Sequence, residues 1–276
     1  MSECSHNCAD CQSKKDGTCG GAEQFKAPMN EMSHIKKVIA VMSGKGGVGK
    51  SLVAELLAVA AVKNGLKTAI LDADITGPSI PTAFGIKQSA VGDGTYIYPS
   101  KSEAGISVMS INLLVENPAE PVVWRGPVIA GAVKQFWSDV AWGDVDLMIV
   151  DMPPGTGDVP LTVFQSLPIT AAVVVTSPQD LVSLIVEKAV RMAEKMNIPV
   201  AGLVENMASF KCPDCGAVHR IFGGNQSKTI AEQHGIKNFV SLPIDPELAG
   251  LVDAGKIESA DVSAIEPMLK EIVAGK

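Results

Sequence analysis

The sequence reads as an α/β fold: a mostly parallel β-sheet flanked by helices on both faces. Short β-branched runs alternate with helix-length stretches from Ile35 onward, the order that builds a parallel sheet through crossover helices. Hydrophobic residues make up 46% of the 276-residue chain and aromatics only 4%, the aliphatic balance of a sheet buried on both sides. The apolar runs end in Gly, Pro or Asp, and in such sheets ligands sit at the carboxyl ends of the strands.

The elements follow in order. Residues 1–33 carry four of the six cysteines among Gly, Ser, Asn and Lys. They show no apolar periodicity and read as a tail, with residues 34–276 as the folded domain. "KKVIAVMSG" is a strand stopping at Gly44. Ser51 to Asn64 is helical, with Gly65 as its C-terminal cap. "KTAILDAD", "DLMIVDMPPG", "TAAVVVTSP", "VAGLVENMA" and "NFVSLPI" are further strands with polar or Pro/Gly ends. "DLVSLIVEKAVRMAEKMN" and "SKTIAEQHG" are helices between them. The C-terminal "SAIEPMLKEIVAGK" has apolar spacing but little positive charge. It is expected to pack on the domain, where a membrane-surface helix would be basic.

The run Gly44 to Ser51, "GKGGVGKS", fits G-x-x-x-x-G-K-[ST] between a strand and a helix, the pattern of a P-loop. Glycines let backbone N–H groups converge on phosphate oxygens, and the helix N-terminus adds its dipole. Gly44, Lys45, Gly46, Gly47, Val48 and Gly49 form the cradle, Lys50 reaches the β- and γ-phosphates, and Ser51 offers a hydroxyl to Mg²⁺. Asp72 and Asp74 end one apolar run and Asp151 another. A strand-end aspartate beside a P-loop suits outer-sphere Mg²⁺ binding. Asp74 is the expected residue for orienting or deprotonating the attacking water, with Asp72 as the alternative.

Lys45 is unexplained by a generic P-loop. "KGGVGKS" resembles the deviant Walker A motif of the MinD/ParA/nitrogenase-iron-protein class of dimeric P-loop NTPases. That resemblance implies that Lys45 crosses a homodimer interface to the partner's phosphates, the role of an arginine finger elsewhere.

Cys212 and Cys215 form a C-x-x-C within "CPDCG", a turn able to aim two thiolates at one metal. His219 is one candidate third ligand, as in a zinc knuckle. Two such pairs about a two-fold axis would instead supply the four cysteines of a [4Fe–4S] cluster. "SGKGGVGKS", "LDADITGPSIP", "WRGP", "DMPPGTGD", "VENM", "CPDCG" and "PIDPELA" occur in that order over most of residues 35–250. Together they resemble the Mrp/ApbC-type iron–sulfur cluster carrier ATPases. The resemblance implies ATP hydrolysis, a homodimer, a cluster at Cys212 and Cys215, a cluster donor, and transfer to apoproteins. It also implies that Asn206 reads the adenine edge, with a "PIDPEL" loop nearby. Trp124 and Arg125 match a family motif whose chemistry does not follow from spacing.

Cys4, Cys8, Cys11 and Cys19 form C-x₃-C-x₂-C-x₇-C. The spacing differs from that of the eukaryotic cluster scaffolds. A [4Fe–4S] cluster, a Zn²⁺ ion and a disordered thiol tail are the three readings, since such a composition cannot fold without a metal. A net charge of −7 counts against a nucleic-acid surface. No apolar run approaches the ~20 residues of a membrane span, and no apolar signal core precedes the domain, so the expected compartment is the cytoplasm. Cysteines there are more often metal ligands than disulfides.

Overall fold

The structure, a computed structural model, describes residues 26–75, 77, 79–115, 126–179, 182–223 and 226–275. Cys4, Cys8, Cys11, Cys19, Trp124 and Arg125 lie outside these residues, and so do the readings placed on them.

Eight strands form the main sheet: β1 (Val38–Ser43), β2 (Thr68–Asp72), β3 (Ser100–Lys101), β4 (Ser107–Met109), β5 (Leu147–Asp151), β6 (Ala171–Thr176), β7 (Val200–Glu205) and β8 (Phe239–Ser241). Their spatial order is β8-β7-β6-β1-β5-β2-β4-β3. Every pair is parallel except β3 with β4. The sheet is therefore mostly parallel, as its aliphatic runs require: every residue of β1, β2, β4 and β5 is buried.

Alternate residues of each strand feed two cores. Val38, Ala40 and Met42 face one side with α2 (Gly126–Ser138), α3 (Asp158–Ser166), α4 (Val182–Lys195) and α5 (Gln226–Gln233). Ile39 and Val41 face the other with α1 (Lys50–Lys63), α6 (Pro246–Asp253) and α7 (Glu266–Ala274). The result is three layers, helix–sheet–helix. Helix α1 is buried nearly all round, Val53 through Ala61 without interruption. That burial explains why its sequence is almost wholly apolar and small. In α7, Met268, Leu269 and Ile272 are buried in the core. No helix among the described residues is long and apolar enough to cross a membrane.

Two expectations need correction. The chain joins the body before residue 34: Ala27 and Met29 pack on the core, the Ala27 N–H donates to Ser166 O at 2.8 Å, and Ser33–Ile35 pairs in parallel with Gly143–Val145. Asn30 fixes this segment, its Nδ2 donating to the carbonyls of Ser138 and Val140 at 2.7 and 2.8 Å. The "PIDPEL" stretch is not simply a loop, because Pro246 opens α6. Asp245 caps that helix by accepting from the N–H groups of Glu247 and Leu248 at 2.9 and 3.1 Å.

Candidate functional site: a phosphate loop and a cysteine knuckle

Three adjacent strands at the sheet centre, β1, β5 and β2, deliver the site. β1 runs into residues 44–49, and α1 begins at Lys50. The pairing sets Asp72 beside Asp151 and Val41 beside Asp151, so both acidic strand ends lie next to the loop. Gly47 and Gly49 have φ of +78° and +81°, a region that side-chain-bearing residues rarely adopt. Gly44 is required for a different reason: a Cβ there would lie 2.6 Å from the carbonyl oxygen of Ile185 on α4. The Val48 side chain is buried in the core, so only its backbone can serve a ligand.

Lys50 is 6% exposed. Its ammonium donates to Asp151 Oδ1 at 2.6 Å and lies 3.4 Å from Asp74 Oδ2. The Ser51 hydroxyl donates to Asp151 Oδ2 at 2.6 Å. Gly46, Gly47, Gly49, Lys50, Ser51, Asp74 and Pro154 line a pocket of about 200 Å³. Asp74 thus opens onto the phosphate cradle. Asp72 does not: it is 1% exposed, accepts the Ser110 hydroxyl at 2.9 Å and accepts the N–H of Asp74 at 3.2 Å. It is a brace that sets the backbone carrying Asp74.

Burial pushes the Asp72 carboxyl well above its usual range, reinforced by the charge of Asp151. Burial also raises Asp151, against the pull of Lys50. Glu55, one turn beyond Ser51 on α1, was not picked out from the sequence. It is 1% exposed, and its Oε2 is buried without a hydrogen-bond partner among the described residues. Burial raises it strongly, with the charges of Asp151 and Asp72 adding to the effect. Its signal was a lone acid in an apolar helical run. Ser51 Oγ and Asp151 are hard oxygen donors that fit Mg²⁺.

Lys45 lies outside this cluster and donates to Gln179 Oε1 of its own chain. Asn206, at the end of β7, is 3% exposed and donates to the Val48 carbonyl at 3.0 Å. Among the described residues this is the hydrogen bond its side-chain amide makes, which leaves a second N–H and Oδ1 able to meet a ligand.

Cys212 and Cys215 sit in the turn of a small hairpin, Phe210–Lys211 against Val218–His219. The turn is closed by Cys212 N–H to Ala217 O and Gly216 N–H to Cys212 O, both 2.9 Å. Backbone N–H groups of Cys215 and Asp214, and the Cys215 side chain, hydrogen-bond the Cys212 sulfur and lower its pKa. The turn favours thiolate at Cys212, the form that binds metal. Among the described residues no group of three His, Cys, Asp or Glu converges on a metal position. His219 is opposite Phe210 in the hairpin and does not complete a site with the two cysteines.

A parallel sheet carrying a phosphate loop, a buried lysine and strand-end aspartates defines a P-loop nucleoside-triphosphatase. Its sequence matches a family model over residues 34–275: ParA, described as NUBPL iron-transfer P-loop NTPase. The chain belongs to that family. An iron-sulfur cluster carrier protein of Clostridium perfringens is 44% identical over 267 residues, covering 91% of this chain and 93% of the relative. One from Methanocaldococcus jannaschii is 41% identical over 262 residues, covering 92% and 90%. Among solved structures, a nucleotide-binding protein from Archaeoglobus fulgidus in complex with ADP is 44% identical, with a TM-score of 0.74 over 82% of this chain and 89% of that one. The cell division ATPase MinD of Pyrococcus furiosus, 18% identical with a TM-score of 0.62 over 87% and 99%, shares the fold alone.

Proposed function

We propose that the protein is an ATP-hydrolysing carrier that holds a [4Fe–4S] cluster as cargo and passes it to apoproteins in the cytoplasm. The observation that carries this reading is the knuckle: two thiols, Cys215 exposed and Cys212 half-buried, with no third ligand among the described residues. Such a pair calls for a second copy of the chain, and a four-cysteine site shared by two chains can open. The names of the relatives support the same cargo.

At the nucleotide, residues 44–49 present backbone donors and Lys50 turns its ammonium to the terminal phosphates. Mg²⁺ held near Ser51 and Asp151 would neutralise phosphate charge. Asp74 orients water for attack on the γ-phosphorus, and the bond to the β–γ bridging oxygen breaks to leave ADP. Asp72 and Ser110 hold the Asp74 backbone in place. Lys45 serves the partner's phosphates in the homodimer, and Asn206 reads the adenine edge, whose donor and acceptor an amide matches. The four tail cysteines, Cys4, Cys8, Cys11 and Cys19, form a second cluster site by residue type.

The test combines transfer with turnover. Anaerobically reconstituted full-length protein, freed of excess iron, is mixed with an apo-enzyme whose activity requires a [4Fe–4S] cluster. Wild type should restore that activity and Cys215→Ala should not, while Asp74→Asn should bind ATP but lose about a hundredfold or more in turnover, from the low end of the range for a general base upward. Equal restoration by Cys215→Ala would refute the cargo site, and unchanged turnover in Asp74→Asn would refute the assignment of the base.

A further inference from the structure

Two sites stand on one continuous piece of backbone. Asn206 touches the phosphate loop, and Cys212 follows only six positions later. The approach of Asn206 to the loop is close: a Cβ on Gly49 would fall 2.1 Å from its Nδ2. A shift of the loop or of a bound base therefore reaches Asn206 directly.

Between the two sites the chain is pinned on either side of one residue. The Asn206 N–H donates to Thr176 O of β6 at 2.8 Å, and the Ala208 N–H donates to Leu242 O at 2.9 Å. Ser209 O then accepts from Ile244 N–H at 2.7 Å, and Phe210 bridges Ile244 before pairing with His219 in the knuckle hairpin. Met207, in between, has φ of +59°. The other non-glycine residue with positive φ among those described is Asn197, a type that tolerates this region; an unbranched apolar side chain such as methionine has no such tolerance. A residue stays there when its neighbours over-determine it.

We propose that Met207 is a positioning residue: its left-handed backbone links the nucleotide-reading Asn206 to the Cys212–Cys215 knuckle, so that nucleotide sets the exposure of the two thiols. The link is stiff because the hydrogen bonds of Asn206 and Ala208 on either side hold Met207 in a region it would otherwise leave. This inference rests on the carrier reading for the purpose of the thiols, but not for the link itself.

The experiment uses the full-length chain stripped of metal. Alkylation of Cys212 and Cys215 by iodoacetamide is followed by peptide mass spectrometry, with and without Mg·ADP, and calorimetry reports nucleotide binding in each protein. Wild type should show a severalfold change in alkylation rate on binding ADP. Met207→Gly, which frees the backbone, should still bind ADP but lose most of that change. Met207→Asn, which tolerates the left-handed region, should keep it. Rates indifferent to bound ADP in wild type, a full response in Met207→Gly, or no response in Met207→Asn would each overturn the proposal. Failure of iron uptake at Cys212 and Cys215 would instead overturn the carrier reading and leave the link standing, because the alkylation is read on metal-free protein.

Discussion

Glu55 is held at a cost that phosphate binding does not explain. Its carboxyl lies in the apolar packing of α1, with one oxygen unpartnered and with Asp151 and Asp72 adding to the penalty of burial. Its pKa in the folded chain is raised above the ordinary 4.5, so folding takes up a proton there. Stability must then fall as pH rises from about 4.5 toward the raised value, and stay lower above it. Methionine has similar length and no charge. Glu55→Met should therefore be more stable than wild type at pH 8, by about 1–3 kcal/mol if it removes a buried unsatisfied group. The gain should shrink as pH falls toward 4.5. Urea unfolding at several pH values measures this, and equal or lower stability of the variant at pH 8 would show that the carboxyl finds a partner in solution.

The loop between β1 and α1 works because its glycines solve separate problems. Gly44 packs against the backbone of Ile185, whereas a Cβ on Gly46 would meet nothing within 4 Å. Gly44→Ala should thus cost about 1–3 kcal/mol through overpacking against α4. Gly46→Ala should unfold at nearly the wild-type urea midpoint. A similar loss in both would mean that chain entropy, not contact with α4, governs the loop. These two glycines look alike in the sequence, and only the fold tells them apart. Much else is legible: α1 is expected over Ser51–Asn64 and spans Lys50–Lys63, the strands bearing Asp72 and Asp151 form, and so does the one that Asn206 follows. Helices α2 and α3 were not read. α2 opens on Gly-Pro, and α3 is short, with Pro160 inside its first turn, so neither shows a clean helical start. Helix α6 did carry a signal, an Asp cap followed by Pro at the first position. It was passed over because the same residues fitted a loop motif. Spacing gives Asp72 and Asp74 the same strand end; in the fold Asp72 is buried against Ser110 and Asp74 lines the phosphate-loop pocket. Asn206 had no reading from its own residue type; its contact with Val48 comes from a separation of 158 positions.

At the scale of the whole molecule, Lys45 and the knuckle raise one question from opposite directions: Lys45 lies outside the buried lysine–carboxylate cluster and bonds Gln179, and Cys212 and Cys215 have no third metal ligand among the described residues. In a homodimer with Lys45 acting across the interface, mixing an Asp74→Asn chain with a Lys45→Ala chain should partly restore ATP hydrolysis. One composite site of the mixed dimer would hold both intact groups. No recovery, with mixed dimers demonstrated by native mass spectrometry, would mean that Lys45 acts within its own subunit or not at all. The proposed cluster site makes the sharper demand, because ligand count would fix its stoichiometry. With Cys4, Cys8, Cys11 and Cys19 all replaced by Ser, the full-length protein should take up close to one [4Fe–4S] cluster per two chains on anaerobic reconstitution, as four cysteine ligands per cluster require. Iron, sulfide and protein would be assayed on the dimer fraction. Zinc bound at one ion per chain, dependent on His219 and with no iron taken up, would contradict both the bridge and the carrier.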